Sequence, residues 1–302
     1  MSSMSSQAAT RTSRAPAPAK ARKALAAVKT PARPVDEPEF GATSALTRLL
    51  QILDLFSLER TTIRVDEVVQ AFGIVQSTAY RYLKELCDAG LLAQQGKGIY
   101  SLGRRIVELE RMLQLSDPLL LAGRPVLDSL EHESANRAFL LCAHYKDGAL
   151  CVYKVGPDEI QFRGAPMKIQ RGRGTLLPLF TGAGSQVILA HLPAHQIKSL
   201  YLANGREIAQ AGLGESWKDF RDQLAQIRKQ GYAETVGKMN PGMHSLATPV
   251  IRDDGKVVGS LLMLGAASDA EIAAGLEQVT MLQRLSAEIG RNVPAPEEGG
   301  RE

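Results

Sequence analysis

Apolar residues recur along this chain with two different periods, and the change between them divides it. From Ser44 to Glu59, Leu46, Leu49, Leu50, Leu53 and Phe56 fall at helical spacing, with Ser44 placed to cap the first turn. A shorter helix is expected over Val65–Phe72, with Asp66 and Glu67 where the helix dipole favours anions. Gly73 then stands where a helix ends in positive φ. The stretch GIVQSTAYRYLKELCDAGLL (Gly73–Leu92) predicts a third helix, with Ala79, Tyr82, Leu83 and Leu86 as its core-facing stripe. Ser77, Thr78, Tyr80, Arg81 and Lys84 take the other side. Val75 occupies the position that Ser, Thr or Asn normally fills as a cap. Gln76 or Ser77 is therefore expected to satisfy the first backbone N–H groups. Past Gly90, LLAQQ and IYSLG read as two short strands around a Gly-Lys-Gly tip carrying Lys97.

Helix, tight turn, helix and hairpin in this order form a winged helix-turn-helix, whose second paired helix enters a major groove. Short hydroxyls and amides followed by Arg and Lys suit phosphates and base edges. Residues 42–104 are assigned to this DNA-binding domain. A linker helix follows at 105–117, with apolar Ile106, Leu109, Met112, Leu113 and Leu115. Leu120, Val126, Leu127 and Leu130 mark another helix, after which the period drops toward 2. Ala138–Gly156 predicts a hairpin turning at Lys146-Asp147-Gly148, and His244–Gly265 a second turning at Asp253-Asp254-Gly255. Helical patterns over Ser185–Ala190, Trp217–Gln230 and Glu271–Ile289 complete residues 118–291. This is an α+β domain with a mainly antiparallel sheet.

Composition narrows the class. The chain has 302 residues, 44% of them hydrophobic, and a mean hydropathy of -0.10, with no membrane-spanning run and no signal-peptide core. Cys87, Cys142 and Cys151 form no CxxC pair, so free thiols and a cytoplasmic location are expected. Net charge is only +4, yet every charged residue from Met1 to Arg33 is basic. That Ala-, Ser- and Pro-rich stretch lies within a tail, 1–41, that cannot bury enough apolar surface to fold alone. It is either a solvated tail or an arm along the phosphate backbone. A second tail is expected at 292–302.

Searches for catalytic chemistry return isolated candidates. His191 and His195 have the i, i+4 spacing of a helical metal pair, but Pro193 between them ends the helix, so no metal site is assigned. Cys142 and His144 share a strand face without an orienting carboxylate or oxyanion motif. No catalytic residue and no cofactor is expected. Thr181–Ser185 (TGAGS) instead opens a helix with two glycines, so its N–H groups suit an anion. Gly237–Ser245 places Met239 and Met243 beside His244 and Ser245. Turn formation explains each loop as well as ligand binding does.

From about Ala45 to Arg291 the chain resembles the isocitrate lyase regulator (IclR) family of bacterial transcription factors. The segments LTRLLQILDLFS, GIVQSTAYRYLKELCDAGLL, GIYSLG, LPLFTGAGSQVILAHLP and RKQGYAETVGKMNPGMHSLATPVIRDDGKVVGSLLMLG carry the likeness. The resemblance implies a GAF-like effector-binding domain, dimers or dimers of dimers, and control of catabolic genes through a palindromic operator and a small organic ligand. It carries DNA contacts onto Gln76, Ser77, Thr78, Tyr80, Arg81 and Lys84. Effector contacts fall on Gly182, Ala183, Gly184 and the segment Met239–Ser245, with Met239, Met243, His244 and Ser245 the residues selected. Thr-Gly-Ala-Gly-Ser-Gln replaces the Ala-Thr-Ala-Ser-Gly-Lys-like loop of many members, and a cysteine some carry in the second segment is missing. The ligand therefore is not inherited from a relative. A small organic acid, with an aromatic one in view, is expected from the Met-rich loop and the helix-terminal glycines. A constitutive architectural DNA binder and an enzyme using the same pocket are the competing classes. A metabolite that both stabilises the protein and shifts operator affinity separates the first reading from the architectural one.

Overall fold

The computed structural model describes residues 44–169, 171–238, 241–267 and 275–295. The basic arm, Met239 and most of the C-terminal tail expected above lie outside them. Helix α1 (Ala45–Gln51) begins with Ser44 Oγ accepting from Thr47 N at 3.1 Å. It passes into a 3₁₀ turn at Ile52–Leu55. Of the expected stripe, Leu49, Leu53 and Phe56 pack against the core. Leu46 and Leu50 end up 66% and 49% exposed, whereas Ile52, absent from the stripe, is fully buried. Strand β1 (Thr62–Arg64) was too short to carry a sequence pattern. Helix α2 (Val65–Phe72) ends at Gly73 with φ 58°. Helix α3 (Gln76–Asp88) buries Ala79, Tyr82, Leu83 and Leu86, as its spacing dictates.

Strands β2 (Leu92–Gly96) and β3 (Ile99–Leu102) form the wing, and β1 adds to it in the order β1-β3-β2. Ile52, Ile63, Val68, Leu83 and Leu86 share one small core with these elements. Each such side chain contributes about 1.5–3 kcal/mol on burial. Gly103 lets the end of the wing lie against the turn after α3, because a Cβ there would meet Gly90 O at 2.1 Å.

Helix α4 (Arg105–Ser116) buries none of its residues. Asp117 caps α5 (Pro118–Asp128), its Oδ1 accepting from Leu120 N at 2.9 Å. The remaining strands are β4 (Arg137–Tyr145), β5 (Gly148–Val155), β6 (Glu159–Phe162), β7 (Ala165–Lys168), β8 (Leu176–Pro178), β9 (Ala233–Val236), β10 (Met243–Ile251) and β11 (Val257–Ala266). Six form an antiparallel sheet in the order β8-β5-β4-β11-β10-β9, and β6 pairs only with β7. Helices α6 (Ala183–Ala190), α7 (Ala194–Gln210) and α8 (Trp217–Gln230) share one core with the sheet, while α5 and α9 (Gly275–Asn292) build a second. Because side chains alternate along a strand, the two cores take alternate residues. Leu140, Cys142 and Leu262 face the first, and Phe139, Leu141 and Leu261 the second.

Candidate DNA interface and effector site

At its start α3 has no side-chain cap. Thr78 N and Ala79 N bond to Val75 O at 2.9 and 3.1 Å, and neither Gln76 nor Ser77 caps the helix, contrary to the sequence expectation. The first N–H groups of α3 therefore stay at the surface, at the positive end of the helix dipole, in the condition that receives a phosphate. Around them Gln76, Ser77, Tyr80, Arg81 and Lys84 are exposed and Thr78 is half-buried. Val65 N donates to Gly98 O at 3.1 Å, tying the wing to the start of α2. A Cβ on Gly98 would lie 3.9 Å from the Tyr80 hydroxyl, so α3 and the wing tip converge there. Lys97, also exposed, is the neighbour of that glycine.

Two cations on this surface differ. Arg81 carries no ion pair among the described residues, its guanidinium lying 5.7 Å from the Tyr82 ring centre. The Lys84 ammonium pairs with Asp88 one turn on, which holds its pKa above the usual lysine value. Sequence reading missed Arg64, which is exposed and pairs in register with Ile99 of the wing. The only signal for it was a three-residue strand.

In the second domain every residue of α6 is buried, and Gly182 precedes it at φ 92° without a side-chain cap. A Cβ on Gly184 would lie 3.3 Å from Ser260 Oγ and 3.5 Å from Leu262 Cδ2, so α6 begins directly over β11. Met243, Ser245 and Ala247 alternate onto the same face of β10, and Met243 and Ala247 join that core. His244 points to the other face, with Leu246, and its Nε2 meets Glu234 Oε1 at 2.6 Å. The expected effector group is thus divided. Gly182, Ala183, Gly184, Met243 and Ser245 gather on the α6 side, whereas His244 lies on the α5/α9 side, because strand neighbours alternate.

Several buried polar groups on the α6 side were not foreseen. Ser260 pairs across the strands with Cys142, and Cys142 with Cys151, which sets three small polar side chains in a row. Contact with Cys151, and then burial, push the Cys142 thiol well above its usual range, so it stays protonated. His144 is exposed while Cys142 is fully buried, and they form no nucleophile–base pair. Ser185 Oγ is buried without a hydrogen-bond partner, and Ser260 Oγ, buried as well, has only the neighbouring Cys142 thiol to interact with. Arg171 is 7% exposed and makes no hydrogen bond or ion pair among the described residues. Burial lowers its pKa, and its charge acts on the Cys142 thiol. Two residues later Arg173 pairs with Glu110 of α4 at 2.7 Å, and Glu110 also accepts from Gln114 at 2.6 Å. His191 ends α6 with Nδ1 2.8 Å from Val187 O, and His195 lies in α7. No group of three or more candidate metal ligands occurs among the described residues. Nor is any helix among them long and apolar enough to cross a membrane.

Comparison with known proteins adds to this geometry. The model of the IclR helix-turn-helix domain matches residues 45–96, and that of the bacterial transcriptional regulator IclR C-terminal domain matches 116–291. The chain is 25% identical over 256 residues to the HTH-type transcriptional regulator XynR of Escherichia coli K12, covering 83% of this chain and 98% of that one. It is 24% identical over 256 residues to the transcriptional repressor IclR of the same organism, covering 84% and 89%. An IclR transcriptional regulator from Alicyclobacillus acidocaldarius shares the fold at a TM-score of 0.66, with 18% identity and coverage of 84% and 100%. An IclR homolog from Microbacterium hydrocarbonoxydans, crystallised with 4-hydroxybenzoate, does so at 0.65, with 20% identity and coverage of 83% and 99%.

Proposed function

Because the chain belongs to the IclR family of bacterial transcriptional regulators, we propose that it binds a palindromic operator as a dimer or dimer of dimers and alters that binding when a small organic acid enters the C-terminal domain. The observation that carries the DNA half is the uncapped, exposed start of α3 beside the wing. Gln76, Ser77, Thr78, Tyr80 and Arg81 line it, with Lys84, Arg64 and Lys97 as phosphate contacts at its margins. Residues 42–104 are the DNA-binding domain, 105–117 the linker and 118–291 the effector domain.

The acid-sensing half is supported by the α6 face. Helix α6 starts uncapped over β11, with Met243 and Ser245 on the same side of the sheet and the unpartnered Ser185 hydroxyl in its first turn. The relative crystallised with 4-hydroxybenzoate shows that a chain of this fold is compatible with such an acid. No catalytic role is assigned, since the family's relatives are regulators and the Cys142–His144 pair is split between core and surface.

The experiment is a titration of an operator duplex with and without a panel of organic acids that includes 4-hydroxybenzoate. The expected result is one acid that shifts operator affinity and raises the melting temperature together, since a ligand moves an equilibrium only by differential affinity. Operator affinity indifferent to every acid that stabilises the protein would favour the architectural reading.

A further inference from the structure

Cys142 and Cys151 oppose each other across β4 and β5, and both side chains enter the core that the sheet shares with α6. Both thiols are free. An irregularity in the ladder makes them neighbours. Up to Leu141, which faces Tyr153, the register would set Val152 opposite Cys142. The register slips by one residue there, so Cys151 faces Cys142 and Val152 packs against the opposite core. The kind of pairing also matters, because an antiparallel ladder alternates two. In one, opposed residues exchange backbone hydrogen bonds; in the other, those bonds point outward and the side chains come closer. Cys151 N donates to Thr175 O at 2.9 Å, and Cys151 O accepts from Gly174 N at 2.8 Å. Both backbone groups of Cys151 thus turn away from β4, and the pair is of the close kind. Such pairs hold their Cα atoms about 4.5 Å apart, inside the window of roughly 4.4–6.8 Å that a disulfide spans.

We propose that Cys142 and Cys151 are a reversible dithiol that closes to an intrachain disulfide when a hydroperoxide enters the domain. The two sulfurs have different parts. Contact with Cys142, aided by the charges of Lys154 and Arg173, lowers the Cys151 pKa, while Cys142 is raised, so Cys151 ionises first. With hydrogen peroxide, the Cys151 thiolate attacks one oxygen and the O–O bond breaks. Cys151 becomes a sulfenic acid, and the departing hydroxide takes up the proton that Cys151 released. The Cys142 sulfur then attacks the sulfenic sulfur: an S–S bond forms, the S–O bond breaks, and the hydroxyl leaves as water with the Cys142 proton. Two thiols are oxidised and one peroxide is reduced to two waters. Both thiols are fully buried, so the oxidant arrives through local opening and the response is slow.

The test treats the full chain, folded, with hydrogen peroxide, blocks the remaining thiols by alkylation and digests with trypsin. Lys146 lies between the two cysteines, so cleavage after it puts them on separate peptides, 138–146 and 147–154. The expected product is those two peptides joined by a bond that dithiothreitol breaks, in a chain that stays single on a non-reducing gel. In Cys87→Ala, where only this pair remains, the free-thiol count should fall from two to none and return on reduction. Cys142→Ser should stop at a Cys151 sulfenic acid that dimedone traps, and Cys151→Ser should leave Cys142 unmodified.

Peptide mapping of the parent decides the matter even if a variant fails to fold. Joined peptides that appear only after unfolding in urea would overturn the proposal, since the native pair would then be inert packing. So would a disulfide that links two chains or engages Cys87, or sulfinic acid at Cys151 with no joined peptides.

Discussion

Arg81 and Lys84 lie almost one turn apart on α3, with the same charge and similar exposure, yet they are not equivalent. Asp88 holds the Lys84 ammonium, whereas Arg81 has no acidic partner among the described residues. Arg81→Ala is expected to cost about 1–3 kcal/mol of operator affinity if it reads a guanine, and to relax one symmetric pair of positions. A panel of single-base operator variants checks this; a uniform loss with a flatter salt slope would make it a phosphate contact instead. Lys84→Ala should cost less. Asp88→Asn should tighten binding at low salt by freeing that ammonium, and an unchanged affinity would remove Lys84 from the interface. At this scale the sequence was informative where a helix repeat fixed direction. The buried stripe Ala79, Tyr82, Leu83, Leu86 and its exposed opposite face follow from 3.6-residue spacing. The partner of Lys84, the burial of Arg171 and the exposure of Arg64 depend on contacts no local pattern encodes.

At the scale of elements, alternation decides what each substitution tests. His244 and Ser245 are neighbours in sequence but belong to opposite faces of β10. Ser245→Ala is expected to weaken the acid response at nearly unchanged stability. His244→Ala should instead lower the melting temperature by removing the contact to Glu234, leaving acid affinity intact; calorimetry on the pair separates them. Gly184→Leu does not test ligand binding alone, because Gly184 packs on Ser260 and Leu262. It should destabilise the domain by about 1–3 kcal/mol through overpacking.

The segment after Arg171 also reaches α4, through Arg173. Arg173→Ala breaks the pair with Glu110 on α4 and should preserve acid affinity while reducing the acid's effect on operator binding. An unchanged effect would take this pair out of the route. The pH response has a sign as well. Burial pushes His191 below its ordinary value of about 6.5, so the unfolded chain takes up the proton first. Its stabilising contribution is present above about pH 6.5 and is lost as pH falls toward the folded value. Melting temperature should therefore drop between pH 7 and 5, less steeply in His191→Asn. The hairpins β4–β5 and β10–β11 and the helices α2, α3 and α8 were legible from period and turn residues. Helix α7 was not, for its non-helical Asn204 interrupts the pattern. The β6–β7 hairpin was hidden by its short strands and by Gly164 and Pro166.

At the scale of the whole molecule, helix α4, between the two matched domains, carries apolar residues that stay uncovered. Val107 and Leu115 of α4 are 68% and 60% exposed, and Met112 and Leu113 more than half. Leu46 and Leu50 of α1 are exposed as well, and under the proposed dimer a second copy of the chain is expected to cover such apolar residues. Met112→Glu should shift the chain toward monomer in sedimentation and weaken operator binding, while a monomeric winged helix still binds DNA non-specifically. The sequence placed this linker by its period, yet its exposure could be known only once the surrounding packing was in view.

Sequence-specific reading of duplex DNA by paired copies of α3 is tested most directly by selecting binding sites from a randomised duplex pool with the full chain. An inverted repeat should be enriched, its half-sites separated by about one helical turn or a multiple of it. Arg81→Ala should relax it at one symmetric pair of positions. Recovery of sequences with no common repeat, bound equally well by the parent and by Arg81→Ala, would contradict it.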